Sequence, residues 1–247
     1  MKKMKNYLKL KTDSNDKGYG QFSGTHLLLL GIWVVFMVAY CIAYFRCGIQ
    51  ARNDMRIAVA LSLLVIDAVK MGIIYFTRQG FSEYLPCEIC SFAAYSIAAD
   101  AFLPDNDFLL ELMVVMFLPA AIMALIFPTT TRLPVFNFFT FHQYFYHSLI
   151  IAYILGRFFA GETSMTYPGL WKSIFAILCL VGVMYTADRI FNRNFMFLVH
   201  NENNVMLKKI SDTCGEGFRY TLGLICFAIF SVHVYYVVFK LLEILIH

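Results

Sequence analysis

The stretch Leu85-Pro86-Cys87-Glu88-Ile89-Cys90-Ser91 opens an apolar segment with a proline, two thiols and an acid. Thiols three apart lie on the same side of a helix. Pro86 suits a first helical turn, where its missing N–H costs nothing. A cysteine there feels the positive end of the helix dipole, which favours thiolate, while Glu88 pushes the other way. Three chemistries fit the motif: a nucleophile with an acid partner, two cysteines that only pack, and a metal or redox pair.

Further polar residues are scattered among apolar ones. Phe141-His142-Gln143-Tyr144-Phe145-Tyr146-His147 opens another segment. Gln143, Tyr144 and His147 stand at i, i+1 and i+4 and are expected to share one polar stripe. His147 is then expected to point inward, and His142, which faces elsewhere, to sit at headgroup level. Asp67 and Lys70 lie mid-segment, three apart, and fit either a structural ion pair or the polar wall of a cavity. His26 stands at the entry of the first apolar segment. Asn192 and Asn194 follow the sixth, where they would cap a helix or bond loop backbone.

The elements that position these groups follow from composition. The chain has 247 residues, 60% of them hydrophobic and only 15% charged. That is too apolar for a soluble domain of this length. Apolar windows of about twenty residues recur and read as spanning helices. Spans are expected near 25–45, 55–77, 86–102, 109–127, 138–159, 170–190 and 220–246. The expected fold is all-α: a polytopic, multi-pass bundle of about seven helices over 23–247 in the cell membrane. A basic tail covers 1–22, and Pro104-Asp105-Asn106 belongs to a turn after the third span. Pro119 inside the fourth span predicts a kink. No cleavable signal is expected. Seven cysteines without regular spacing argue against an extracellular disulfide framework.

Seven spans put the termini on opposite sides. With the N-terminus inside, thirteen lysines and arginines face the cytoplasm and six the other side, so a cytoplasmic N-terminus is expected. The entries to spans one, three and five and the exit from span six then share the cytoplasmic face. There His26, the thiols, His142, His147 and the asparagines converge.

Read together, these motifs resemble the YwaF-type family of bacterial integral membrane proteins over nearly the whole chain. The residues that carry it are Phe22–His26, Leu85-Pro86 with Cys90, Phe127-Pro128, His147, and Asn192 with Asn194-Phe195-Met196-Phe197-Leu198. That family is similar in turn to the vertebrate transmembrane protein 164 family, acyltransferases that remodel phospholipids with a Cys and a His. The resemblance implies His147 as the histidine. The vertebrate pattern places its thiol directly after the proline, at Cys87, and the bacterial pattern at Cys90. Both patterns have His where this chain has Glu88.

The first functional expectation is an acyltransferase or acyl hydrolase acting on lipid acyl groups. A thiolate of Cys87 or Cys90 attacks an ester, His147 moves the proton, and Glu88 orients His147. Asn192, Asn194 or backbone N–H groups would hold the oxyanion, and the remaining polar residues would contact substrate. The second is a transporter or solute-binding protein with Asp67 and Lys70 on the path. The third is a metal or redox site of Cys87, Cys90, His142 and His147. The expected partners are membrane lipids, not nucleic acid, and no cofactor is expected.

Overall fold

The computed structural model describes residues 7–10, 18–103, 107–201 and 205–246. Most of the basic tail and the turn at 104–106 lie outside the described residues. The described chain is helical without strands. Its helices are α1 (Gly24–Arg46), α2 (Ile49–Phe76), α3 (Ile89–Phe102), α4 (Asp107–Ile126), α5 (Phe138–Phe159), α6 (Tyr167–Phe191), α7 (Val205–Cys214) and α8 (Phe218–Ile246), with a 3-10 turn at Phe81–Glu83.

Five helices are long and apolar enough to cross a membrane: α1, α2, α4, α6 and α8. Five of the seven expected spans meet both conditions, and each of the other two, α3 and α5, differs for its own cause. α3 has 14 residues, about 21 Å against a hydrocarbon core of about 30 Å. α5 has the length, with 22 residues, but carries Thr140, His142, Gln143, His147, Ser148 and Arg157. It can carry them because it is the central helix, packed against α1, α2, α3 and α4 and buried along most of its length. The apolar residues point outward elsewhere: Leu28 and Val35 on α1, and Ile244 and Leu245 on α8, are exposed, as lipid-facing residues are. α7, amphipathic and short, occupies part of what the sequence suggests is loop.

Local chemistry sets the helix ends. Ser23 caps α1 by accepting from the His26 N–H at 3.2 Å, and Asn137 caps α5 by accepting from Phe139 at 2.8 Å. Thr166 caps α6, with Pro168 in the first turn. Asn192 ends α6 in the left-handed region at φ 51. In α4 the residues Met113–Phe117 are π-helical, directly before Leu118-Pro119. The proline has no N–H for the i→i−4 ladder, and the wider π turn absorbs that loss.

The threading alternates, so the starts of α1, α3 and α5 meet the ends of α2, α4 and α6. His26 Nε2 bonds the Leu125 carbonyl at 3.1 Å, Gln143 Nε2 donates to the Ala124 carbonyl at 2.9 Å, and Arg193 donates to Ser82 at 2.9 Å. The segment 7–10 is tied to the same end, with Asn137 donating to the Lys9 carbonyl at 2.9 Å.

Candidate active site

α3 starts with little help from side chains. Pro86 leads into a tight turn in which the Cys87 N–H donates to the Leu85 carbonyl at 2.7 Å. Glu88 is the N-cap residue in extended conformation, and its side chain makes no capping bond. The Ser91 and Phe92 N–H groups return to the Glu88 carbonyl. The Ile89 and Cys90 N–H groups belong to the helix start, which has no intrahelical acceptor to offer them.

Cys90 is buried in this first turn, 8% exposed. Its Sγ lies 3.2 Å from Nε2 of His147. The other imidazole nitrogen, Nδ1, lies 2.6 Å from the backbone carbonyl of Gln143. A carbonyl only accepts, so Nδ1 carries the proton and Nε2 presents its lone pair to the thiol. The thiol donates, and the pair has the orientation of a nucleophile and its base. Two tyrosines fix the geometry: Tyr146 donates to the Cys90 carbonyl at 3.3 Å, and Tyr95 donates to the Pro86 carbonyl at 3.1 Å.

A second polar group adjoins the pair. Lys70 and Asp67 pair at 2.5 Å across one turn of α2, and His142 Nε2 lies 3.8 Å from the same Asp67 oxygen. The His142 ring stacks on Tyr146 with centroids 5.0 Å apart, and Tyr146 meets His147 edge-on. Lys70 and Glu88 are within electrostatic reach of Cys90. His142 is buried at 8% exposure, so its ring faces the bundle and not elsewhere as expected, with the Asp67 carboxylate beside it.

The structure thus brings Cys90, His147, Asp67, Lys70 and His142 together. It does not bring Cys87 to His147; Cys90 is the thiol in hydrogen-bonding reach of that imidazole among the described residues. Burial pushes the Cys87 thiol above its ordinary range, and the nearby carboxylates Asp188 and Glu88 add to the effect. Glu88 is exposed and makes no bond to His147; the Gln143 carbonyl occupies the orienting position instead.

Other singled-out residues are engaged in holding the bundle. His26 is fully buried, accepting from the Phe22 N–H at Nδ1 and donating from Nε2 to Leu125. The Tyr144 hydroxyl reaches Tyr19 and the Gln143 amide reaches the Ala124 carbonyl, so neither side chain bonds His147. Asn194 accepts from the Val199 N–H at 3.0 Å and donates to the His200 carbonyl at 2.8 Å. Asn192 is exposed at the end of α6. Tyr146 and the Gln143 carbonyl escaped the sequence reading because nothing in their spacing marks them before α3 is placed beside α5. Among the described residues no three His, Cys, Asp or Glu side chains gather as a metal-ligand set.

No curated protein and no solved structure matches the chain. A family model matches residues 21–242, from the turn before α1 to the last turns of α8, and so takes in every residue of this site. The chain is a multi-pass helical membrane protein and belongs to the TMEM164 family.

Proposed function

We propose that the protein is a membrane-embedded thiol acyltransferase or acyl hydrolase for lipid acyl groups, with Cys90 as nucleophile and His147 as base. The observation that supports this reading most is the 3.2 Å contact between Cys90 Sγ and the unprotonated Nε2 of His147. In the first half-reaction His147 Nε2 takes the thiol proton as Sγ attacks the ester carbonyl carbon. The C–O bond breaks, the leaving alkoxide takes the proton back from Nε2, and the acyl group remains as a thioester. In the second, an acceptor alcohol, amine or water gives its proton to Nε2 and attacks the thioester. The C–S bond breaks and Cys90 is reprotonated.

The oxyanion of each tetrahedral intermediate would be held by the N–H groups of Ile89 and Cys90, whose helix dipole also favours thiolate. In this reading Asn192 and Asn194 shape the neighbouring loop, and Asp67, Lys70 and His142 hold the polar part of the substrate. The segments carrying the site face the cytoplasm, on the balance of basic residues. Lipid enters laterally, so its acyl chain reaches the thiol without crossing water.

The test is labelling of the purified protein by an acyl-ester probe in detergent. Cys90→Ala is expected to abolish labelling and Cys87→Ala to leave it. Labelling that survives Cys90→Ala overturns the assignment, and the buried Asp67–Lys70 pair would then favour passage of a solute or ion.

A further inference from the structure

The helices that join Cys90 to His147 meet again further along, at a group of charges the proposed reaction does not use. Asp100 stands ten residues after Cys90 on α3, and Arg157 ten residues after His147 on α5. Ten residues of helix advance about 15 Å. There Arg157 pairs with Asp100, which also accepts from Tyr153 and lies 3.6 Å from Arg56. Arg157 reaches in addition to Glu162 at 2.9 Å. Glu162 accepts from Tyr44 at 2.8 Å and pairs with Arg52 at 3.3 Å. Arg56 donates to the Asp100 backbone carbonyl at 2.6 Å.

Among the described residues, three guanidinium groups therefore share two carboxylates. Asp54, two residues from each of Arg52 and Arg56 and so on the other side of α2, is exposed and accepts from Gln50, so it does not balance the third. The surplus is also a surplus of donors. Among the described residues Arg56 Nε is shielded from solvent with no acceptor, and so is the hydroxyl of Tyr40. Tyr40 belongs to the same group: its ring stacks on Tyr44 at 6.0 Å, and it is within electrostatic reach of Tyr153, Glu162 and Arg157. Buried donors without acceptors are rare, and a buried charge without a partner is costly. An anion with several acceptor oxygens removes both costs at once, and guanidinium is the side chain best matched to phosphate.

We propose that Arg56 and Tyr40 hold a phosphate group at the end of the bundle opposite Cys90, either inorganic phosphate or the phosphodiester of a lipid headgroup, with Arg52, which donates to Glu162 and to the Tyr44 and Phe45 carbonyls, adding its charge beside it. Arg56 and Tyr40 supply the open donors. Arg157 is occupied by its two carboxylates and holds the frame. The bound group neutralises the third guanidinium and ties α1 to α2, where the chain turns between Arg46 and Ile49. The side chains of Arg52 and Arg56 are 22% and 13% exposed, so the site is reachable from the bundle's end.

The test uses the full chain purified in a phosphate-free maltoside detergent, with thermal unfolding as readout. One arm adds inorganic phosphate and the other adds short-chain phosphatidylglycerol, with a short-chain diacylglycerol as the phosphate-free control. Stabilisation by both phosphate compounds identifies a site for the free anion; stabilisation by the lipid alone identifies a headgroup site. Either result supports the proposal if Arg56→Gln and Tyr40→Phe each weaken the apparent affinity, by about tenfold for Arg56→Gln. Tyr40→Phe breaks no bond of the network and so reports even if Arg56→Gln unfolds. No stabilisation beyond the diacylglycerol control, or wild-type affinity in Tyr40→Phe, overturns it.

Discussion

The Gln143 carbonyl holds the proton of His147 on Nδ1, 2.6 Å away, and so turns the Nε2 lone pair toward Cys90. The orienting group is backbone, one helical turn before the histidine. Substituting Gln143 leaves that carbonyl in place and removes only the bond from Nε2 of Gln143 to the Ala124 carbonyl. Gln143→Ala is accordingly expected to retain most labelling by an acyl probe. His147→Ala is expected to lower the labelling rate by about 10²–10⁴-fold, the usual contribution of a general base. Labelling rates of the two variants, measured side by side, check this.

Alkylation of Cys87 should report its environment. Thiolate is the reactive form, and a raised thiol pKa means less of it at a given pH. Cys87, held up by burial with Asp188 and Glu88, should react with a maleimide more slowly at pH 8 than an ordinary thiol, and faster as the pH is raised. Glu88→Gln removes one of the negative charges and should speed the reaction at pH 8. A pH series in the Cys90→Ala background, followed by mass spectrometry, decides it.

The contact between α4 and α6 depends on one missing side chain. A Cβ built on Gly169 would collide with Oε2 of Glu111, whose other oxygen accepts from Thr166 at 2.8 Å. The carboxylate sits on the first turn of α6, where the dipole favours negative charge. Gly169→Ala should cost about 1–3 kcal/mol through displacement of the buried carboxylate. Thermal unfolding of Gly169→Ala and of Gly169→Ala/Glu111→Ala should show less than additive loss, because the second change removes the clash.

Breaking the Asp100–Arg157 pair should be severe. Their side chains are 3% and 11% exposed, and removal of one partner leaves a buried charge, at a cost of about 3–5 kcal/mol. Asp100→Asn alone leaves Arg157 and Arg56 short of a carboxylate and should therefore destabilise more than Asp100→Asn with Arg157→Met. A double-mutant cycle on unfolding midpoints measures the difference.

His26 tests the separation of fold from chemistry. Its ring joins the start of α1 to the end of α4 through two backbone groups. His26→Ala should lose about 2 kcal/mol, at roughly 1 kcal/mol for each bond. The labelling rate per folded molecule should stay near wild type. A fall in rate larger than the fall in folded fraction would place His26 in the reaction.

Helix positions were legible in the chain because apolar runs and their breaks report the membrane directly. Phe138–Phe159 is recovered with the expected bounds, and Gly24–Arg46 and Phe218–Ile246 differ by a residue or two. The family was legible for a similar reason, since the spacing of Pro86, Cys90, His147 and the asparagines survives without coordinates. Composition by itself does not account for α5. Its polar residues are carried by central packing and not by length or hydropathy, and packing is invisible in one segment read alone.

The amino-acid order by itself determined an all-helical membrane chain and a short roster of thiols, imidazoles and buried charges. It left Cys87 and Cys90 equivalent, because helical spacing places both near one face. Only the tertiary structure separated them. α3 begins after Cys87, so Cys90 enters the first turn beside α5 while Cys87 stays in the preceding loop among carboxylates. Which nitrogen of His147 faces the thiol was likewise decided by a backbone carbonyl, whose direction exists only once the helix has formed and packed.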